Sequence, residues 1–230
     1  MFVDVSAVRG DFIIDNPLTP IAPLVVGDPQ FVGLRGQSYQ VHGVDGEIYN
    51  LVSSATTQIN AKFVFLNSGQ CPVINNKKAE NCWSHPGSYL GAIGIQQITE
   101  QNEKYVLLME SGSASQGFKS ITLNGELLSV GSKLSSSNNE FSMFYESDYR
   151  ITVNTKEFSF IFDNSDLFIN QGVTSRIPLS QLTSHGLFGQ THSAKVYNSA
   201  LKYIAGDVDD YVVNEGTLTG KDFVYNKFQL

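Results

Sequence analysis

Short runs of β-forming residues, each closed by a turn signal, recur along most of this chain, and they limit what it can become. Residues 58–65, Gln-Ile-Asn-Ala-Lys-Phe-Val-Phe, alternate and end at Asn67-Ser68-Gly69. Similar runs cover 38–42, 47–53, 91–99, 105–110 and 118–123. Asn124-Gly125 then marks a tight hairpin into 126–130, because both residues tolerate the left-handed backbone such a turn requires. The stretches 140–145 and 149–154 read as another pair, followed by 157–162 with Phe158, Phe160 and Phe162 on one face. A short edge strand is expected at 167–170, and one helical turn at 177–182. This spacing predicts an all-β fold, an antiparallel β-sandwich with few or no helices.

Residues 1–26 differ from the rest. Val3, Val5, Val8, Phe12, Ile13 and Ile14 form an apolar extended segment, and Pro17, Pro20 and Pro23 exclude a helix after it. We read 1–26 as an extended N-terminal arm and 27–230 as a single β domain. An apolar arm of this kind has to be covered, either along its own domain or as a strand added to a neighbouring copy. Val3, Val5, Phe12, Ile13 and Ile14 are the candidate assembly residues.

Composition narrows the functional classes. The formal net charge of −7 argues against nucleic-acid binding, which needs a basic footprint on the phosphates. No stretch has the ~18 apolar residues of a transmembrane segment. The first residues lack a basic start followed by an apolar run, so the chain is expected either to be mature and processed or not to be secreted by that route. Charged residues are only 16%, against roughly a quarter in ordinary globular chains, so the surface is expected to be polar but uncharged. That pattern suits an extracellular or assembled protein.

The two cysteines, Cys71 and Cys82, lie 11 positions apart around a turn-rich stretch. The spacing suits a local disulfide worth about 3 kcal/mol, and equally two thiols in a reducing compartment. Trp83 stands beside Cys82, and with Tyr89 it is the candidate stacking surface for a glycan; packing on the local disulfide is the competing use. Of the four histidines, His185 and His192 flank Gly186 and Gly189, where they either hold a metal together or bond to backbone. Ser184 and His185 are neighbours in an extended run and face opposite ways, so they make no catalytic pair. No Gly-x-Ser-x-Gly elbow or phosphate loop occurs, and no catalytic residue is assigned.

Two glycine-framed signatures carry a family resemblance. Gly27-Asp28-Pro29-Gln30-Phe31 followed by Gly36-Gln37-Ser38-Tyr39 resembles the opening of von Willebrand factor type D domains. Residues 57–64 resemble the next strand of plant root-cap-type relatives. His185-Gly186-Leu187-Phe188-Gly189-Gln190 is similar to the cysteine-free segment near the C-terminus of inter-alpha-trypsin inhibitor heavy chains. In those chains a late Asp-Tyr-hydrophobic-hydrophobic segment follows, as Asp210-Tyr211-Val212-Val213 does here.

The resemblance implies an extracellular, non-catalytic module. Some members cleave themselves at the Asp-Pro bond with help from the next histidine, but here Gln30 follows Asp28-Pro29 and cannot shuttle a proton. Phe188 stands where a cysteine is usual, which removes disulfide-linked multimers. Many type D domains hold calcium after the Gly-Leu-Cys-Gly segment, whereas 190–195 here contain no carboxylate. Asp28, Asp207, Asp209 and Asp210 are the remaining calcium candidates; otherwise no cofactor is expected. The partners expected are protein, namely copies of the chain itself, and alternatively glycans.

Overall fold

The computed structural model describes residues 23–27, 29–65, 87–198, 200–213 and 215–220, and the backbone of 73–74 and 77–78. The arm residues Val3, Val5, Phe12, Ile13 and Ile14 lie outside these, as do Asp28, Cys71, Cys82 and Trp83. Three short strands open the described chain: β1 (Leu24–Val26), β2 (Gln30–Val32) and β3 (Ser38–Gln40). Then follow β4 (Ile48–Ser53), β5 (Thr57–Phe65), the small pair β6 (Val73–Ile74) and β7 (Lys77–Lys78), and the long β8 (Ser88–Ile98). The middle holds β9 (Lys104–Ser111), β10 (Phe118–Leu123), β11 (Glu126–Leu127) and β12 (Lys133–Ser135). The last four are β13 (Ser142–Ser147), β14 (Arg150–Asn154), β15 (Phe158–Asp163) and β16 (Asn170–Ser175).

These strands build an all-β antiparallel sandwich. One sheet has the order β12-β13-β14-β15-β16-β1-β2-β3, and the other β11-β10-β9-β8-β5-β4. Every paired neighbour is antiparallel. Among the described residues the only helical pieces are 3-10 turns at Leu179–Gln181, Gly189–His192 and Val208–Tyr211, and no helix is long and apolar enough to cross a membrane.

Alternation in the sequence becomes the two faces of each sheet. Phe158, Phe160 and Phe162 are fully buried and join Ile151, Val153 and Val173 from the larger sheet. Ile59, Phe63, Ile93, Ile95, Leu107, Met109 and Ile121 come from the smaller one into the same cluster. Phe160 and Phe162 stack at 5.6 Å between ring centroids, and each buried ring contributes roughly 2–3 kcal/mol of transfer free energy. The Asn124-Gly125 hairpin forms as expected, with both residues left-handed at φ 52 and 87.

The expected edge strand at 167–170 does not form. The strand is Asn170–Ser175, and it lies inside the larger sheet between β15 and β1. Its polar composition misleads because Gln171 is buried opposite Phe162 and Val25, while Gly172 and Thr174 line the outer face.

One edge of the smaller sheet is closed by the C-terminal third. Strand β4 has a β-bulge between Asn50 and Val52, and all six of its residues are buried. Residues 185–188 lie along it, His185 as an isolated antiparallel bridge to Ser53 and the rest as a turn. Ser53 and His185 exchange main-chain bonds at 2.8 and 2.7 Å, Leu187 N–H donates to Asn50 at 3.0 Å, and Phe188 N–H donates to Leu51 at 2.8 Å. Val213 N–H adds a bond to the Ile48 carbonyl at 2.8 Å. An edge that would invite foreign strands is thereby paired within the chain.

Candidate functional site

The two signatures, far apart in sequence, meet in space. The hairpin of β2 and β3 turns through Gly33 and Gly36, and from it Arg35, Gln37 and Tyr39 reach the 3-10 turn Gly189–His192 and the residues before it. Gln37 Nε2 donates to the carbonyls of Thr191 at 2.9 Å and Ser193 at 3.1 Å. Arg35 Nε donates to His192 at 2.6 Å, and Leu34 N–H donates to Thr191 Oγ1 at 3.0 Å. The Tyr39 hydroxyl donates to the Leu187 carbonyl at 2.7 Å.

From the other side, Gln190 locks the same turn to the chain's end. Its Nε2 donates to the Gly186 carbonyl at 3.0 Å and to the Tyr211 hydroxyl at 2.7 Å, and its Oε1 accepts from Ala205 N–H at 3.0 Å. The Tyr211 hydroxyl donates onward to the Ala205 carbonyl at 2.5 Å. Gln190 and Tyr211 are fully buried, so each bond replaces hydration that neither group can recover.

Gly186 explains why this segment must carry glycine. Its φ is +100, and a Cβ there would lie 2.5 Å from Asn50 Oδ1 and 2.6 Å from the Leu51 carbonyl. Only a residue without a side chain lets 185–188 approach β4 closely enough to pair.

Electrostatics at this interlock favour fixed neutral groups. Burial raises the Tyr39 phenol well above its ordinary value, with Tyr211 adding to the shift. Burial likewise pushes Tyr211 far up, against the opposing hydrogen bond from Gln190. Both phenols therefore remain protonated donors through the physiological range. Burial lowers the His192 imidazole, opposed by hydrogen bonds to the backbone of Leu179 and Ser184 and reinforced by the Arg35 charge. His185 is fully buried, with its ring stacked on Tyr211 at 5.8 Å. Ser184 Oγ donates to the Gly189 carbonyl at 2.9 Å.

Of the calcium candidates, Asp207, Asp209 and Asp210 are among the described residues. Asp209 and Asp210 sit on the 3-10 turn Val208–Tyr211, and Asp207 precedes it as the N-cap, its N–H donating to the Asp210 carboxylate at 2.9 Å. Among the described residues no group of three or more His, Cys, Asp or Glu side chains converges as a metal site. Tyr89, the described member of the proposed stacking pair, has its ring against Phe168 at 4.7 Å. A cleft of about 380 Å³ opens elsewhere, between β3 and residues 200–203, lined by Ser38, Gln40, Lys202 and Tyr203.

Sequence reading pointed to both signatures but not to how they are joined. Gln37 and Gln190 stand in the two signatures, each directly after a glycine, but no clasping role was assigned to them, and Thr191 lies just beyond the second signature. No family model matches this chain, and no curated protein is significantly similar to it. The type D resemblance therefore rests on the motifs themselves.

Proposed function

We propose that this chain is a non-catalytic extracellular structural module of the type D kind, working through protein–protein contacts as a subunit of a coat, matrix or filament. The observation that carries this reading is the interlock: Gln37, Tyr39 and Gln190, from the two signatures, are spent on main-chain hydrogen bonds that hold the fold.

The outer face of the larger sheet supports contact as the working mode. Phe144, Thr152, Ile161, Gly172, Leu24 and Val32 are in register across six neighbouring strands. Ile161 is 45% exposed in the middle of this apolar row, and the others are half-buried. A row of this kind offers an apolar arm from a neighbouring copy a place to lie. Deleting residues 1–22 is expected to leave a folded monomer that no longer assembles, as read by light scattering and negative-stain imaging. Unchanged assembly after deletion refutes the arm's role.

The second reading is a soluble adhesion or carbohydrate-binding domain. It is favoured by the cleft beside β3, where Tyr203 offers a ring and Ser38 and Gln40 offer polar groups. A glycan array with the wild type, Trp83→Ala and Tyr203→Ala distinguishes it. Binding by the wild type that either variant abolishes supports this reading, and no binding by the wild type removes it.

A further inference from the structure

The cleft beside β3 lies in a part of this acidic chain that holds no acids. Residues 29–44 and 167–206, the two stretches that wall it, contain no Asp or Glu, although the chain has 22 of them and a formal net charge of −7. Three cations belong to these walls instead. Lys202 lines the cleft itself. Lys195 is on the same connection, which folds back on itself where Tyr197 N–H donates to the Lys202 carbonyl at 2.6 Å. Arg35 is at the tip of the β2–β3 hairpin, with its Nε on the His192 carbonyl. Among the described residues none of the three pairs with a carboxylate. The two ammonium groups lie over tyrosine rings, Lys195 Nζ at 5.2 Å from Tyr197 and Lys202 Nζ at 5.5 Å from Tyr203. A ring at that range steadies the cation without neutralising it.

The backbone holds Lys202 in this place against its own preference. Its φ is +58, and the other non-glycine residues with positive φ are asparagines, which tolerate that region. Tyr203 N–H bonds back to the Leu201 carbonyl at 2.5 Å, making a three-residue turn about Lys202. Glycine would sit there without strain, and strained positions concentrate at ligand sites. The floor beneath is rigid: Tyr203 packs on Tyr39 at 6.3 Å, and Tyr39 packs on Phe31 at 5.2 Å and is tied to Leu187 by its hydroxyl. Tyr203 is half-buried, and Ser38 and Gln40 are exposed along the opposite wall.

We propose, on the carbohydrate reading of this cleft, that it takes a carboxylated sugar, a uronate-bearing oligosaccharide. Lys202 meets the carboxylate, Tyr203 lies against the sugar ring, and Ser38 and Gln40 face its hydroxyls. The volume of about 380 Å³ is at the small end of ligand pockets, which run roughly 300–1,000 Å³, so a short stretch of the oligosaccharide fills it. An acidic peptide would satisfy the cations but leave the ring unused.

Isothermal titration calorimetry of the full chain with tetragalacturonate tests it, with neutral maltotetraose and tetraglutamate as controls. Tetragalacturonate is expected to bind at least about tenfold tighter than either control, with affinity falling as salt is raised. Lys202→Gln and Tyr203→Ala are each expected to weaken it by about tenfold or more. Lys202→Gly is expected to lose the same affinity while raising the melting temperature, which separates a lost contact from a lost fold. Equal binding of maltotetraose overturns the charge of the ligand and leaves the carbohydrate reading standing, whereas no binding of either sugar overturns both. Equal binding of tetraglutamate overturns the sugar, and full affinity in Lys202→Gly overturns the site.

Discussion

Replacing Gln190 by leucine tests whether the interlock holds the fold or merely decorates it. The substitution keeps nearly the same volume in a site that is 1% exposed, so little of its effect comes from a cavity. It removes three hydrogen bonds, to Gly186, Tyr211 and Ala205, at 3.0, 2.7 and 3.0 Å. Tyr211 keeps its bond to the Ala205 carbonyl, but the Gly186 carbonyl and the Ala205 N–H lose the partners that satisfy them. Each buried group so orphaned costs about 1–2 kcal/mol, giving a loss of about 3 kcal/mol out of a total of roughly 5–15 kcal/mol. With a urea dependence of about 2–3 kcal/mol/M for a chain of this size, the midpoint is expected to fall by about 1–1.5 M at unchanged slope. Urea titration followed by circular dichroism reads it. A shift below about 0.3 M would refute the argument. Tyr39→Phe supports the same turn from the opposite side through Leu187, so the double variant is expected to fall short of the sum of the two losses.

Other substitutions probe neighbouring claims. Gly186→Ala places a methyl group against Asn50 and Leu51 and is expected to cost on the order of 3 kcal/mol or more; a melting temperature equal to wild type would show that 185–188 do not pair with β4 as described. Burial raises the Glu157 carboxyl above its ordinary value, opposed by Ser54 and Lys156, and Glu157 Oε2 is buried without a hydrogen-bond partner among the described residues. The folded state therefore holds this proton to higher pH than the unfolded state, and the associated stability is complete below about pH 4.5 and lost as pH rises through the elevated value. Glu157→Gln is expected to raise the melting temperature at pH 7 and to leave it unchanged at pH 4, and an equal gain at both refutes the assignment. Gln171 is buried with neither amide atom hydrogen-bonded among the described residues, so Gln171→Leu is expected to stabilise by on the order of 1 kcal/mol in a thermal melt, and a loss there would reveal a partner for the amide.

The fold class was legible because period-two alternation survives wherever one face meets the core and the other meets solvent. Phe158, Phe160 and Phe162 show it plainly. Alternation fails where both faces are covered. Every residue of β4 is buried, with 185–188 along its edge, and Gln58 and Asn60 look solvent-facing in sequence yet lie under the tail. β16 was misplaced for the same kind of reason: buried Gln171 and outward Gly172 give no apolar rhythm. Both signatures were visible, but the bonds joining them depend on side chains such as Gln37 and Gln190, whose partners are main-chain carbonyls and amides. A carbonyl has no sequence identity, so no motif could announce these contacts.

The reach of the interlock has a consequence for how the chain is made. Leu34 finds its partner in Thr191, 157 positions later. At roughly 5–20 residues per second, a ribosome needs on the order of 10–30 s to deliver the second partner after the first. Throughout that interval the growing polypeptide carries β4 with a bare edge and the first hairpin with nothing to clasp. Release of the last third of the chain, rather than formation of any early strand, sets the moment at which this molecule becomes safe from its neighbours.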